Sequence, residues 1–550
     1  MSAGTGGEPD TVDYVVVGAG SAGCVLAARL SEDRDCQVLL IEAGGPDRAA
    51  QISVPAAFPK LFGTDFDWAF STSEQPGLED REIFFPRGKT LGGSSSINAQ
   101  IWTRGHPADF DGWGADGCDG WDHSRVLPYF RRAEGRQGPA GPDRYGSDGP
   151  VRVEDLRDPS PATARFLAAC AGAGYALTGD GESSAREGAG PVRVTQHNGR
   201  RWSAADAYLR PSRGRDNLTV LTGGHVNRVL LDGTRAVGVE LGGPDGVRQI
   251  HATREVIISA GAVSSPQILM LSGIGDPEQL RPLGLPVVVD LPQVGRNLSD
   301  HLYVPLALTA RQAISPGMGE QSEEALDYFR SRRGPLSSNL AEAVVFLRTQ
   351  ADLPGPDIEL VWMLVPFLDS GRGEPANGVT LGVVLLQPES RGSVRLQSAD
   401  PLAAPRIDPG FLSDPAGRDL ATAVAGVRAA QELLSRPELR TVVGDPLVPG
   451  LFDQSQDSLG ELVRRHAETL YHPVGSCRMG TDDTSVVDPE FRVRGTTGLR
   501  VVDAGVMPVV PRGHTQAPTV MLAERAADLI RGLPLLPPAT RSSVLEGSSA

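Results

Sequence analysis

The chain of 550 residues has only five cysteines, Cys24, Cys36, Cys118, Cys170 and Cys477, with no C-x-x-C pair. An odd, scattered set excludes a disulfide framework and a cysteine zinc site, and no other metal site is expected; a reducing, cytoplasmic setting is. Long hydrophobic runs are missing too, since no stretch reaches the roughly 18 apolar residues of a membrane span. Met1 to Asp10 has neither a basic n-region nor an apolar core, so no secretory signal is predicted. The remaining route to a membrane is peripheral, through an exposed apolar loop around Phe58 to Phe66. Basic charge is in deficit: 52 Lys and Arg against 68 Asp and Glu give a net charge of −16, which repels phosphate backbones and excludes nucleic acid as a partner. Aromatic residues make up 5%, too few to point to an aromatic cage for a cationic ligand.

What is present is an ordinary globular composition, 40% hydrophobic and 22% charged, with many turns implied by 66 glycines and 44 prolines. Val12 to Val17 is a β-branched run that enters Gly18-Ala19-Gly20-Ser21-Ala22-Gly23 and then an apolar-periodic helical stretch. A second run, Cys36 to Ile41, ends in Glu42, about 20 residues after Gly23. Strand, glycine turn, helix and acid in this order predict a dinucleotide site. Gly18 makes the turn, Gly20 admits a pyrophosphate, Gly23 lets helix and strand pack, and Glu42 accepts from a ribose 2′-hydroxyl, which disfavours NADP. This unit alone does not separate FAD from NAD. A second small-residue loop, Gly92-Gly93-Ser94-Ser95-Ser96, has little side-chain bulk, so a planar ring and a diphosphate can both approach its backbone N–H groups.

Five longer segments carry a resemblance. Pro86 to Gly105 (PRGKTLGGSSSINAQIWTRG), Ala260 to Gly275 (AGAVSSPQILMLSGIG), Val294 to His301 (VGRNLSDH), Tyr471 to Gly480 (YHPVGSCRMG) and Leu499 to Ile530 follow in the order of the glucose-methanol-choline (GMC) oxidoreductases, and the chain resembles their bacterial choline-dehydrogenase-like members. The resemblance implies an α/β fold, α+β overall: a Rossmann-like FAD-binding domain with an interleaved substrate domain of antiparallel sheet and helices. The expected ranges are 12–160, 200–305 and 468–535 for the FAD domain and 161–199 and 306–467 for the substrate domain, with a disordered tail over 536–550. Surface loops or lids are expected at 135–150 and 315–324. Ile97 stands where some relatives attach the flavin covalently through histidine, so FAD is expected to be non-covalent. By the same resemblance Ser94, Asn98 and Ala99 lie along the cofactor, Val226 meets the adenine, and Asp503 and Ala504 form a turn facing it.

The resemblance also supplies a catalytic pair. Oxidation of an alcohol to a carbonyl needs a base for the hydroxyl proton while hydride leaves for the flavin, and histidine suits that task. His472 matches the family's catalytic histidine, and His514 its second active-site position, here within RGHTQAP where N-T-N-A-P-T is commoner. His301 is expected to order a loop over the cofactor. Glu342 aligns with a glutamate that faces the ammonium group in choline-oxidising relatives but also occurs in relatives that take neutral alcohols. Cys477 and Met479 read as packing residues. The expected function is FAD-dependent alcohol oxidation. The electron acceptor, dioxygen or a quinone or electron-carrier protein, stays open with a tilt to dehydrogenase, and so does the alcohol. The alternatives are a hydroxynitrile-lyase-like enzyme that uses FAD structurally and a non-catalytic flavoprotein.

Overall fold

The computed structural model describes residues 10–136, 145–178, 187–243, 246–317, 322–373 and 376–540. Most of the tail expected over 536–550, and parts of the loops expected at 135–150 and 315–324, lie outside the described residues.

A parallel sheet forms around Thr11–Val17. Val38–Glu42 lies on one side of it, followed by Leu218–Thr222; on the other side come the last residues of Gly246–Ile258, followed by Leu499–Val501. The inner strands are apolar throughout because both of their faces are covered, as Val38–Glu42 shows with every residue buried. The long strand Gly246–Ile258 also belongs to a second unit: its first half pairs antiparallel with Arg235–Gly243, which pairs with His225–Asp232. Helix Ser21–Leu30 lies against the sheet and packs on helix Gln516–Arg531. Thus residues some 500 positions apart share one layer.

The second sheet is antiparallel. Leu302–Ala310, Gly378–Leu385, Ile358–Met363, Ala341–Leu347 and Gly188–Pro191 run in that order, with Val443–Pro446 and Glu468–Thr469 on the far side of Leu302–Ala310. Alternation sorts its side chains into two cores. Leu302, Val304, Val345, Leu360 and Trp362 pack under the helices, where Trp362 stacks on Phe166 with ring centroids 4.8 Å apart. Tyr303, Val344, Val361 and Met363 point the other way, toward the parallel-sheet layer. Two ends differ from the expected ranges. Leu302–Ala310 starts before residue 306, and Glu468–Thr469 pairs with the antiparallel sheet rather than the parallel one, because strand pairing continues beyond the segment where hydropathy changes.

Candidate active site

The inner face of the antiparallel sheet and the carboxyl ends of the parallel strands enclose a cavity of about 1200 Å³. A crevice at strand carboxyl ends is where open α/β sheets bind ligands. Gly18, Gly20, Glu42, Gly93, Ser94, Asn98, Ala99, Val226, Asp503, Ala504, His472 and His514 all line it. Gly23 and Gly92, counted with the cofactor-binding glycines, lie behind the wall, Gly23 in the helix-to-strand packing expected of it. A Cβ on Gly23 would stand 1.9 Å from the Gly18 carbonyl oxygen, so its role is helix-to-strand contact. Gly92 donates its N–H to the Ala19 carbonyl at 2.8 Å and so ties the two glycine loops together.

The glycine cradle fits a diphosphate. Gly18 has φ +96°, and a Cβ there would meet the Ser259 carbonyl oxygen at 2.6 Å; a Cβ added at Gly20 would meet nothing closer than that oxygen, at 4.0 Å, so the side on which it would stand is open. Helix Ser21–Leu30 starts with no side-chain cap, so its first N–H groups are available to an anion. Glu42 closes this end. Its oxygens accept from Ala19 N at 2.9 Å and Gly44 N at 2.8 Å, and burial pushes its carboxyl up to about 7. Asp503 is fully engaged: it accepts from Gly261 N (2.9 Å), Ser265 Oγ (2.5 Å) and Gly505 N (2.8 Å), which pins the turn holding Ala504 to helix Gly261–Leu271.

At the other end the histidines converge. The rings of His472 and His514 have centroids 4.9 Å apart and lie nearly perpendicular, at 83°. His301 is the surprise of the site: its Nδ1 is 3.0 Å from Nδ1 of His472, and its Nε2 is 3.0 Å from the Leu386 carbonyl oxygen. A carbonyl only accepts, so His301 carries its proton on Nε2. Burial pulls His301 down to about 3, and the neutral ring therefore offers a lone pair at Nδ1. His472 must then donate from Nδ1. Burial, followed by the facing His514 and His301, holds His472 well below the ordinary histidine value, so it is neutral with a bare Nε2. The neighbouring Asp300, raised by burial to about 6, accepts from the His472 backbone N at 2.8 Å and from Thr469 Oγ1 at 2.5 Å. This anchors the loop in which Tyr471 takes a left-handed φ of +68°.

His514 is held by its backbone N–H to Thr103 Oγ1 at 2.9 Å and by its Nε2, which donates to Glu359 Oε1 at 3.2 Å. Neither the His301 relay nor Glu359 was singled out in the sequence. A signal existed for Glu359, an acid inside the otherwise apolar and fully buried strand IELVWM. His301 was expected only to order a loop over the cofactor; for its pairing with His472 there was no signal, because it joins residues 171 positions apart.

Glu342 does not reach the cavity. It is buried beside helix Pro161–Gly172 and accepts from Ser160 N at 2.8 Å and Thr163 Oγ1 at 2.5 Å. The wall beside the histidines is instead Phe58, Phe62, Tyr303, Val361, Met363, Phe367, Leu470 and Tyr471. Its rings touch one another: Phe62 and Tyr471 have centroids 5.5 Å apart, and Phe58 and Phe367 5.9 Å. This corrects the expectation of an exposed apolar loop at Phe58 to Phe66, since Phe58 and Leu61 are buried because they line or support the cavity. No described helix is long and apolar enough to cross a membrane.

Comparison with known proteins bears on this arrangement. Two models described as GMC oxidoreductase match residues 12–303 and 388–523. An alcohol dehydrogenase [acceptor] of Pseudomonas putida is 40% identical over 94% of this chain and 95% of its own length. Human mitochondrial choline dehydrogenase is 41% identical, covering 96% and 91%. Among solved structures, pyridoxine 4-oxidase from Mesorbium loti superposes with a TM-score of 0.86 at 34% identity, covering 95% of this chain and 100% of that one. A formate oxidase of Aspergillus oryzae, studied for modification of its FAD, gives 0.88 at 27% identity, covering 96% and 99%.

Proposed function

The chain belongs to the GMC oxidoreductase family and takes FAD as its cofactor, and from that premise we propose that it oxidises an uncharged, largely apolar alcohol at the His472–His514 pair. The observation that carries the reading is the bare Nε2 of a neutral His472, held by the His301 relay on a cavity wall that also presents Tyr303, Val361, Met363 and Phe367. FAD, bound without a covalent link, supplies the hydride acceptor when present. Gly18, Gly20 and the start of helix Ser21–Leu30 hold its diphosphate, Glu42 its ribose, and Ser94, Asn98 and Ala99 its ring system, with Gly93, Val226 and Ala504 completing the cradle. The parallel-sheet layer is then the cofactor domain and the antiparallel sheet with its helices the substrate domain.

His472 takes the hydroxyl proton on Nε2, since that nitrogen has the lone pair and no protein partner among the described residues. His514 stands across from it, held in place by the bond from its Nε2 to Glu359, and bounds the space the hydroxyl enters. The aromatic wall desolvates the alcohol and keeps water from the reacting carbon. Substrate choice follows from the carboxylates nearest this wall: Glu342 is turned away to Ser160 and Thr163, Glu359 is paired with His514, and Glu468 accepts from the Asp369 and Ser370 backbone. None of these three is free to face a quaternary ammonium.

Anaerobic mixing with a panel of alcohols tests the proposal. Bleaching of the flavin absorbance is expected with benzylic and medium-chain primary alcohols and much less with choline. His472→Ala should slow bleaching by about 10²–10⁴-fold. A flavin that stays oxidised with every alcohol, or a variant as fast as wild type, rejects it.

A further inference from the structure

Arg201 is one of the largest fully buried side chains, 2% exposed, and it sits behind the cofactor wall with no carboxylate at ion-pair distance among the described residues. Its guanidinium donates from Nε to the Ile52 carbonyl at 2.8 Å and from Nη1 to the Ser95 carbonyl at 3.2 Å and to Asn98 Oδ1 at 2.8 Å. Nη2 is buried with no partner. The nearest acid along the chain, Asp206, is committed elsewhere, to Ser203 and to Arg210 at 2.6 Å. Burial brings Arg201 down to about 9, which leaves it charged at neutral pH.

Asp206 acts on Arg201 only from a distance, and a buried cation with no anion in contact is costly in a folded protein and favours a further negative partner. The geometry around Asn98 indicates where that partner lies. Asn98 Oδ1 accepts two bonds, from Arg201 Nη1 and from Gln100 N at 3.0 Å, and both of these groups can only donate. The carboxamide orientation is therefore fixed, oxygen toward Arg201. Its NH₂ group has no acceptor among the described residues, and Asn98 lines the cavity.

We propose that Arg201 is a positioning residue for the flavin: it turns the Asn98 NH₂ toward the cofactor and supplies a positive charge, with no carboxylate in contact, that favours the reduced flavin. Arrival of hydride brings two electrons and one proton, so a flavin that takes no second proton gains one negative charge. A cation one hydrogen bond behind the wall lowers the free energy of that state relative to the oxidised one. The inference rests on the reading that FAD occupies this cavity with Asn98 on its wall. It does not depend on which alcohol is oxidised.

The test is the midpoint potential of bound FAD in wild type, Arg201→Gln and Arg201→Lys, measured by stepwise anaerobic reduction with dithionite against a reference dye and without alcohol. Arg201→Gln is expected to lose tenfold or more in the two-electron reduction equilibrium, about 30 mV. Arg201→Lys keeps the charge and should stay within about threefold of wild type, near 15 mV. Asn98→Leu should lower the equilibrium with Arg201 still in place. A wild-type potential in an Arg201→Gln protein that holds FAD overturns the proposal, as does an Arg201→Lys protein that falls as far. If Arg201→Gln does not retain FAD, Arg201→Lys alone decides on the same criterion. A purely structural role lowers the melting temperature of the variants and leaves the potential where it was, which also refutes the proposal. Because no alcohol is added, failure to find a substrate and failure of this inference are separate results.

Discussion

Replacing His301 by alanine isolates the relay that leaves Nε2 of His472 bare. In the wild type the productive tautomer, with its proton on Nδ1, is satisfied by the lone pair of His301 at 3.0 Å. Alanine removes that acceptor and leaves a buried N–H without a partner, at a cost of about 1–3 kcal/mol. The cost falls on the productive tautomer alone, since the other tautomer carries no proton on Nδ1. At about 1.4 kcal/mol per tenfold, the fraction of His472 ready to take a proton, and with it the rate of hydride transfer, should drop by about 5- to 150-fold. His301→Gln, with a carbonyl oxygen that can accept from Nδ1, should recover part of the loss. The assay is anaerobic stopped-flow bleaching of the flavin under saturating alcohol. ¹⁵N spectra of the histidine-labelled protein should show the His472 proton on Nδ1 in wild type and spread over both nitrogens in the alanine variant. An alanine variant with wild-type limiting rate and unchanged ¹⁵N shifts refutes the tautomer argument, and a loss confined to KM assigns His301 to packing.

Other perturbations separate site from scaffold. The limiting rate of flavin reduction should stay flat as pH falls through 6.5, because His472 lies well below that value; the rate is present above its folded pKa and is lost only when the pH falls through it, so a decline centred near 6.5 argues against His472 as the base. Glu359→Gln keeps the volume but removes the charge bonded to His514, and a fall in kcat of about tenfold with FAD retained is expected from the loss of one charge-assisted hydrogen bond. Glu342→Ala should cost about 1–3 kcal/mol in a denaturant melt, from the orphaned Ser160 N–H and Thr163 hydroxyl, and leave the ranking of alcohols untouched; a changed ranking returns Glu342 to the substrate site. Burial raises Glu468 from its ordinary value of 4.5 to about 7, so its contribution to stability is full below 4.5 and declines as pH rises through 7. The unfolding free energy of Glu468→Gln relative to wild type, read from denaturant melts, should therefore rise from pH 5 to pH 8, by a margin on the order of 3 kcal/mol at most.

The cofactor half was legible in the sequence because its signals are local. Strand, turn, helix and acid lie within some 35 residues around Gly18, Gly20 and Glu42, and backbone sterics at Gly18 demand glycine whatever the rest of the chain does. The resemblance pointed to His472 and His514 and implied an antiparallel layer, which the strands over 302–385 form. The sequence even held a hint of Glu359, as an acid in a strand with both faces covered.

Only the tertiary structure decided which groups meet. The proton state of His472 depends on His301 and on the Leu386 carbonyl, from three separate segments, and a hydrogen bond across 171 residues has no periodicity to reveal it. Glu342 and Glu359 are both acids in neighbouring buried strands. The bulge between Ala341 and Ala343 accompanies a side chain directed to Ser160 and Thr163, whereas Glu359 reaches His514. Local backbone chemistry thus fixed the cradle, and the register of a distant sheet decided what faces the substrate, because strand pairing assigns each side chain to one face only after the chain has folded.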